Sequence, residues 1–170
     1  MRVFAWTEND CFKTLNLIRG SGASMQSLQN LAQLASVDRE LFETRIHYML
    51  DLCSQGNIDG IIGYFSEDVS YQMIGNWSMF PYAGPVRGKP AVKLAFAGIF
   101  THFQSLGSTV HDIVIDGDRV AVRRTTILRH FGTGRSDGVA VVDFVRFRDG
   151  LVAELTEVLD SLAIARLEEG

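Results

Sequence analysis

The last third of the chain constrains the fold most, because it reads as four consecutive β-strands. The four runs are STVHDIVID, RVAVRRTTILRH, GVAVVDFVRF and LVAELTEVLD. The turn sequences DGD at 116–118 and RDG at 148–150 join two pairs of these runs, and Asp-Gly at such a position is typical of a tight β-hairpin. The segment therefore predicts an antiparallel meander.

The segment before the meander reads as mainly helical. A predicted N-cap at Ser36 begins a first helix, Asn57 caps a short second helix, and Pro90 opens a third that runs to Gly107. The first helix is predicted from apolar residues at helical spacing, namely Phe42, Ile46, Met49, Leu50 and Cys53. One strand, DVSYQMI, and a loop, GNWSMFPYAGPVRG, precede the third helix. Helices followed by a meander predict an α+β fold.

The first 36 residues differ from the rest. The segment RGSGAS at 19–24 is a flexible break, and MQSLQNLAQLA after it has near-helical leucine spacing. We therefore expect an N-terminal extension over residues 1–36 with one short helix, followed by a single domain over residues 37–170. A chain of 170 residues is long enough for such a domain to bury a sizeable core.

Composition argues against several functions. The net charge is −4 and no run of Lys and Arg forms a basic stripe, which disfavours nucleic-acid and anionic-membrane binding. No apolar run approaches transmembrane length. Cys11 and Cys53 do not form a disulfide framework, so we expect reduced thiols and a cytoplasmic protein. The four histidines lack metal-ligand spacing, so no metal is expected.

Side chains alternate between the two faces of a strand, so residue parity predicts which polar groups point inward. In VAVVDFVRF the odd, more apolar face carries Asp143, a costly residue to bury without a partner. The polar groups on the apolar sides of all strands are Tyr71, His111, Arg124, Thr126, Asp143 and Glu157. If these sides all face the helices, the groups converge in a mostly apolar ligand pocket.

The chain resembles the nuclear transport factor 2-like superfamily, in its SnoaL-like and ketosteroid isomerase-like branch, over about residues 37–162. The resemblance is carried by SQGNIDGIIGYFSEDVSYQM, PVRGKPAV, IVIDGDRVAVR and VRFRDGLVAELTEVLD. It implies a cone in which about three helices cover the concave face of a strongly curved, mixed or antiparallel sheet. It also implies a homodimer through the outer sheet face, which Ala140, Val142 and Phe144 would fit.

The resemblance to ketosteroid isomerases covers only part of their site. Asp143 matches the acid that stays protonated in those enzymes and donates to the developing oxyanion. Their general-base Asp falls at Met73, and their first-helix Tyr falls at Met49 with Tyr48 beside it, which argues against steroid isomerisation. His111 lies on the strand where scytalone dehydratase-like members carry a working His.

The resemblance to limonene epoxide hydrolase is closer. Tyr71 matches its water-binding Tyr, Arg124 matches its Arg, and Glu157 matches its second Asp. Met73 and Thr126 stand where that enzyme has an Asn and an Asp, so its Asp-Arg-Asp relay is only partly present.

These residues predict a cofactor-independent acid–base enzyme acting on a small, largely apolar molecule by isomerisation, cyclisation, dehydration or hydrolysis. Asp143 would be the acid or oxyanion donor and Glu157 the base, oriented by Arg124. Tyr71 or His111 would position a substrate oxygen or a water.

Further substrate contacts are expected from Met73, Thr126, Tyr48, and a pocket rim of Trp77 and Phe80. Three alternatives remain open at this stage. Asp143 and Arg124 could be a structural ion pair, the protein could bind an apolar ligand without catalysis, or it could be a protein-interaction module.

Overall fold

The computed structural model of the chain describes residues 25–76 and 84–169. Contacts divide the chain into two units, Met1–Glu40 and Leu41–Gly170. The described part of the first unit is residues 25–40, which are helical. The second unit contains the sheet and the remaining helices, and all of the site described below.

Four helices occur in the described residues: α1 (Met25–Ser54), α2 (Ile58–Gly63), α3 (Lys89–His102) and α4 (Ser161–Glu168). Two predicted boundaries are wrong. Ser36 lies inside α1 rather than at its start, in keeping with the strong helix formers Leu34 and Ala35 before it. The third helix ends at His102 instead of Gly107, because Phe103 already has the extended backbone of the next strand.

The strands are β1 (Phe65–Ile74), β2 (Gly84–Arg87), β3 (Phe103–Asp116), β4 (Arg119–His130), β5 (Ser136–Arg148) and β6 (Leu151–Leu159). They form one six-stranded sheet in the order β2-β1-β6-β5-β4-β3. Among the strand pairs within residues 65–159 that the structure describes, β1–β6 alone is parallel, so the sheet is mixed. The predicted α+β class and the meander of the last four strands are confirmed.

The predicted cap at Asn57 and the predicted turn at 148–150 form as expected. The Asn57 side chain accepts a hydrogen bond from the Gly60 backbone N–H at 2.9 Å and so caps α2. The β5–β6 hairpin turns at Asp149 and Gly150, both with positive φ, which is the backbone of the primed turns that suit the twist of paired strands. The Arg45 guanidinium donates to the Gly150 carbonyl and ties this turn to α1.

Alternation in three strands follows the predicted parity. Tyr71 in β1, Arg124 in β4 and Asp143 in β5 are all buried on the inner face of the sheet. On the outer face of β5, Ala140 and Phe144 are exposed, as predicted. The main apolar core therefore lies between this inner face and the helices, where Phe42 of α1 stacks on Phe147 at a ring-centroid distance of 4.4 Å.

Alternation in β3 departs from the predicted parity. The register of β3 against β4 shifts between Ser105 and Gly107 and again between Val110 and Asp112. A β-bulge moves the following side chains to the opposite face. As a result His111 is exposed and not inward, so the predicted orientation of His111 is wrong.

Two elements were missed from the sequence. The segment interpreted as a loop contains β2, which pairs antiparallel with β1. After β6, the Asp160 side chain accepts hydrogen bonds from the Leu162 and Ala163 backbone N–H groups and starts α4. Because α4 buries Ile164 and Leu167, it closes part of the core that the strands alone would leave open.

Candidate functional site

An inner cavity of about 100 Å³ lies between the inner face of the sheet and helices α1, α3 and α4. Most of its wall is apolar, and its polar side chains come from β1, β3, β4 and β6. The described residues that line it are Cys53, Tyr71, Met73, Phe96, Ile99, Phe100, Phe103, Ser105, Ser108, Arg124, Thr126, Leu128, Val139, Val141, Glu157, Leu159 and Ile164.

Arg124 is the centre of a buried charge network on the cavity wall. Its Nε donates to Asp143 Oδ2 at 2.6 Å and its Nη2 donates to Asp143 Oδ1 at 3.2 Å, a two-point pairing. The same Nη2 also donates to Glu157 Oε1 at 3.0 Å. Asp143 and Glu157 stand directly opposite each other on β5 and β6, so one guanidinium joins both carboxylates.

Glu157 is the carboxylate that reaches the cavity. Its Oε2 accepts a hydrogen bond of 2.6 Å from the Tyr71 hydroxyl, and its Oε1 accepts from Arg124. Asp143 is 5% exposed and does not belong to the described lining of the cavity. The two acids of the network therefore differ in position, because Asp143 contacts its arginine while Glu157 contacts both the arginine and the empty space.

The surroundings of this network shift several pKa values. Burial raises the pKa of Glu157 to about 7, and the nearby Asp143 carboxylate adds to the rise, while Arg124 and the Tyr71 hydroxyl oppose it. Burial also holds the pKa of Tyr71 well above its usual value, so its hydroxyl stays a donor. Burial disfavours the charged form of Arg124 and so lowers its pKa. The negative charges of Asp143 and Glu157 together have the larger effect, and the Arg124 pKa is raised.

Cys53 of α1 is a cavity residue that sequence reasoning assigned only to the helix core. Burial raises the pKa of its thiol to about 12, and the negative charge of Glu157 adds to the rise. The thiol is therefore protonated at neutral pH and a poor nucleophile. Its position on the helical stripe of Phe42, Ile46 and Met49 was visible in the sequence, but that stripe does not distinguish a cavity wall from closed core.

Three hydroxyl groups line the cavity on β3 and β4. Ser108 pairs with Thr126 across the two strands, and the Thr126 hydroxyl donates to the Gly107 carbonyl at 3.3 Å. Ser105 Oγ lies 3.5 Å from the Thr126 hydroxyl oxygen. Thr126 was predicted, whereas both serines were missed. Ser108 follows a β3 register shift that turns it inward, and Ser105 lies where the third helix was expected to continue.

The other predicted substrate contacts have mixed outcomes. Met73 is 6% exposed and lines the cavity. Tyr48 is 48% exposed and lies edge-on to Tyr64, so the structure does not place it at the cavity. His111 hydrogen-bonds Thr125 on the outer face, where its Nε2 lies 2.8 Å from Thr125 Oγ1.

The predicted rim residues Trp77 and Phe80 lie outside the described residues. Within residues 25–76 and 84–169, no three or more His, Cys, Asp or Glu side chains are grouped so as to hold a metal ion. In the same ranges, no helix is both long enough and apolar enough to cross a membrane.

Comparison with protein-family models gives a match to the SnoaL-like domain over residues 46–155. This range extends from the middle of α1 to within β6 and contains Tyr71, Arg124 and Asp143. A comparison with curated proteins gives no match.

Solved structures share the fold at low sequence identity. A nuclear transport factor 2-like protein of unknown function from Burkholderia pseudomallei superposes with a TM-score of 0.65 at 18% identity, covering 76% of this chain and 98% of that one. The protein TerC, co-crystallised with polyporic acid, gives 0.65 at 20% identity over 76% and 98%. An epoxide hydrolase of the limonene type from M. tuberculosis gives 0.59 at 16% identity over 75% and 88%.

Proposed function

Because the chain belongs to the SnoaL-like branch of the nuclear transport factor 2-like superfamily, we propose that it is an acid–base enzyme acting on a small, largely apolar molecule. The observation that carries this proposal is Glu157, a carboxylate on the cavity wall whose pKa is raised to about 7. A group with such a pKa exchanges a proton efficiently near neutral pH. A neighbour of the same fold is an epoxide hydrolase, which is consistent with chemistry of this kind.

In the proposed mechanism Glu157 takes a proton from a substrate carbon or a water, and later returns it. Arg124 holds one Glu157 oxygen, and the Tyr71 hydroxyl donates to the other, so the carboxylate is fixed in one orientation. Once Glu157 is protonated it can donate to the Tyr71 oxygen, which frees the Tyr71 hydroxyl to donate to a substrate oxygen that gains charge. Arg124 also lines the cavity and can donate to the same oxygen. No cofactor is needed for proton transfer of this type.

Asp143 has a different role in this proposal from the one expected from the sequence. An acid that donates to an oxyanion must be protonated and must face the substrate. Asp143 instead accepts two hydrogen bonds from Arg124 and does not belong to the described cavity lining. We therefore assign Asp143 as a positioning residue that orients the Arg124 guanidinium.

Replacing Glu157 tests the proposal. The purified protein is assayed against small epoxides and β,γ-unsaturated ketones, and Glu157→Gln is compared with the native chain on whichever compound is turned over. The variant should lower kcat about 10²- to 10⁴-fold, the usual contribution of a positioned acid or base, with little change in KM. Asp112→Asn, which alters an exposed acid on the outer face, is the matched control and should leave kcat unchanged.

A binding protein without catalysis is the second candidate. It is favoured by one observation, that both Glu157 oxygens already accept hydrogen bonds within the protein. In that case the compounds would bind without turnover, and Glu157→Gln would change affinity alone. Unchanged kcat in Glu157→Gln, on a compound that is turned over, would remove Glu157 from the mechanism.

We also propose that the protein forms a homodimer through the outer sheet face. Phe144 is 51% exposed and Val114 is 62% exposed there, beside a surface depression of about 450 Å³. Large apolar side chains in such a position are typical of interfaces. Light scattering of Phe144→Asp should report a monomer where the native chain is a dimer, and a monomeric native chain would contradict the proposal.

A further inference from the structure

The inner cavity is small for a substrate. Its volume is about 100 Å³, whereas an apolar cavity that binds benzene measures about 150 Å³ and ligand sites usually measure about 300–1,000 Å³. A molecule with even one six-membered ring therefore needs more space than the cavity alone provides. Either wall residues move, or part of the ligand lies elsewhere.

A larger space adjoins the cavity. An outer groove of about 470 Å³ lies between the C-terminal end of α1, the end of α3 and the beginning of β3. Four residues line both spaces, namely Cys53, Phe100, Phe103 and Ser105. A single layer of side chains therefore separates the groove from the cavity, and the combined space falls within the usual range for ligand sites.

The outer groove differs chemically from the cavity. Its lining includes Gln55, Gln104, Ser54 and Thr101. The Ser54 and Thr101 hydroxyls donate to backbone carbonyls of their own helices, so towards a ligand they are acceptors. None of the described residues that line it carries a formal charge. Such a surface suits a neutral group that both donates and accepts hydrogen bonds, because a charged group would lose its hydration without gaining an ionic partner.

We propose that the ligand has two parts, a compact apolar end in the inner cavity and a neutral tail bearing a hydroxyl or amide group in the outer groove. The apolar end would carry the reacting atoms to Glu157 and Tyr71. This inference rests on the proposed function, because it takes the Glu157 end of the cavity as the place of reaction.

Phe100 is the residue between the two spaces whose rotation would let such a ligand enter. Its side chain is half-buried on α3, and its ring meets Phe96 edge-on at a centroid distance of 6.2 Å. Phe103 is only 2% exposed and packs against the His130 ring at 5.1 Å, so it has less room to turn. Rotation of Phe100 would join the two spaces without disturbing the sheet.

Filling the groove tests the proposal. Thr101 is exposed on α3 and lines the groove, so Thr101→Trp narrows the groove without altering the core. Leu94 is 73% exposed on the same helix and does not line the groove, so Leu94→Trp is the matched control. The probes are neutral epoxides and cyclic ketones with rings of fewer than six members, each in a short form and with a hydroxyethoxy tail. Dissociation constants are measured by chemical-shift titration of the ¹⁵N-labelled full chain.

The expected result is that tailed probes bind the native chain about fivefold more tightly than the short forms, the gain of about one further hydrogen bond. Thr101→Trp should abolish that difference and leave the short forms unchanged, whereas Leu94→Trp should preserve it. Equal affinities for short and tailed probes, or a difference that survives Thr101→Trp, would overturn the two-part ligand and leave the proposed function standing. Failure of every probe to bind the native chain would count against both.

Discussion

The two faces of β4 carry ion pairs with the same Nε–Oδ2 distance in different surroundings. On the outer face, Arg123 Nε lies 2.6 Å from Asp112 Oδ2, with both side chains 59% exposed. On the inner face, Arg124 Nε lies 2.6 Å from Asp143 Oδ2, with side chains 10% and 8% exposed. The two arginines are neighbours in the sequence, so burial and the additional contacts of the inner pair are what distinguish the two pairs.

We expect burial, and not the Nε–Oδ2 distance, to set the cost of breaking such a pair. In water an exposed charge that loses its partner is solvated, so the pair contributes little. In the interior no water solvates the charge that remains, so the charge is left uncompensated. The inner pair also includes Glu157, so removing Arg124 leaves two carboxylates facing each other across β5 and β6.

The largest expected effect on stability comes from replacing Arg124, the arginine of the inner pair. Arg124→Gln should lower the free energy of unfolding by about 3–5 kcal/mol, the range for a broken buried pair. Arg123→Gln, the matched control, should lower it by less than about 1 kcal/mol. Urea unfolding at pH 7 measures both. Equal losses in the two variants would mean that burial does not separate the two faces.

The regularity of each strand explains which side-chain orientations could be predicted from the sequence. Parity placed Arg124, Asp143 and Tyr71 inward correctly, because β1, β4 and β5 keep their alternation over those positions. It failed for His111, which follows the register shift between Ser105 and Gly107 and lies within the second shift, between Val110 and Asp112. A β-bulge leaves no fixed mark in the sequence, yet it reverses the side chains that follow it until a second bulge restores the alternation.

The helical and β3 residues that line the cavity were harder to predict than the polar residues on β1, β4 and β6. Cys53 and Phe96 belong to apolar helical stripes, and a stripe has the same spacing whether it faces packed core or empty space. Ser105 was missed because it lies in β3 where a continuation of the third helix was expected. The different roles proposed for Asp143 and Glu157 depend on which carboxylate reaches the cavity, and residue spacing does not predict that.

The acids of the two faces should make opposite contributions to the pH dependence of stability. The pKa of Glu157 is raised to about 7 by burial, so the folded chain binds more protons than the unfolded chain between about pH 4.5 and 7. Stability should therefore fall by about 3 kcal/mol as pH rises through this window, at about 1.4 kcal/mol for each unit of pKa. Glu157→Gln should remove this fall.

Glu154 on the outer face is the control for the pH experiment. Its hydrogen bond with Arg146 lowers the Glu154 pKa, so its contribution has the opposite sign and is lost as pH falls through that lowered pKa. Glu154→Gln should therefore leave the fall between pH 4.5 and 7 in place. Urea unfolding at half-unit pH steps distinguishes the variants, and a native chain whose stability rises across the window would contradict the raised pKa of Glu157.

The smallest expected effect tests a single hydroxyl of the inner network. Tyr71→Phe removes the donor that lies 2.6 Å from Glu157 Oε2, and it should lower the free energy of unfolding by about 1–2 kcal/mol. Tyr48→Phe alters a half-exposed ring away from the cavity and should change stability by less than about 0.5 kcal/mol. The Tyr71 hydrogen bond lowers the Glu157 pKa, so its loss should also extend the pH-dependent fall in stability above pH 7. If Tyr71→Phe and Tyr48→Phe gave the same unfolding curves from pH 4.5 to 8.5, the Tyr71 hydroxyl would have no role in holding Glu157, and Arg124 alone would fix the carboxylate.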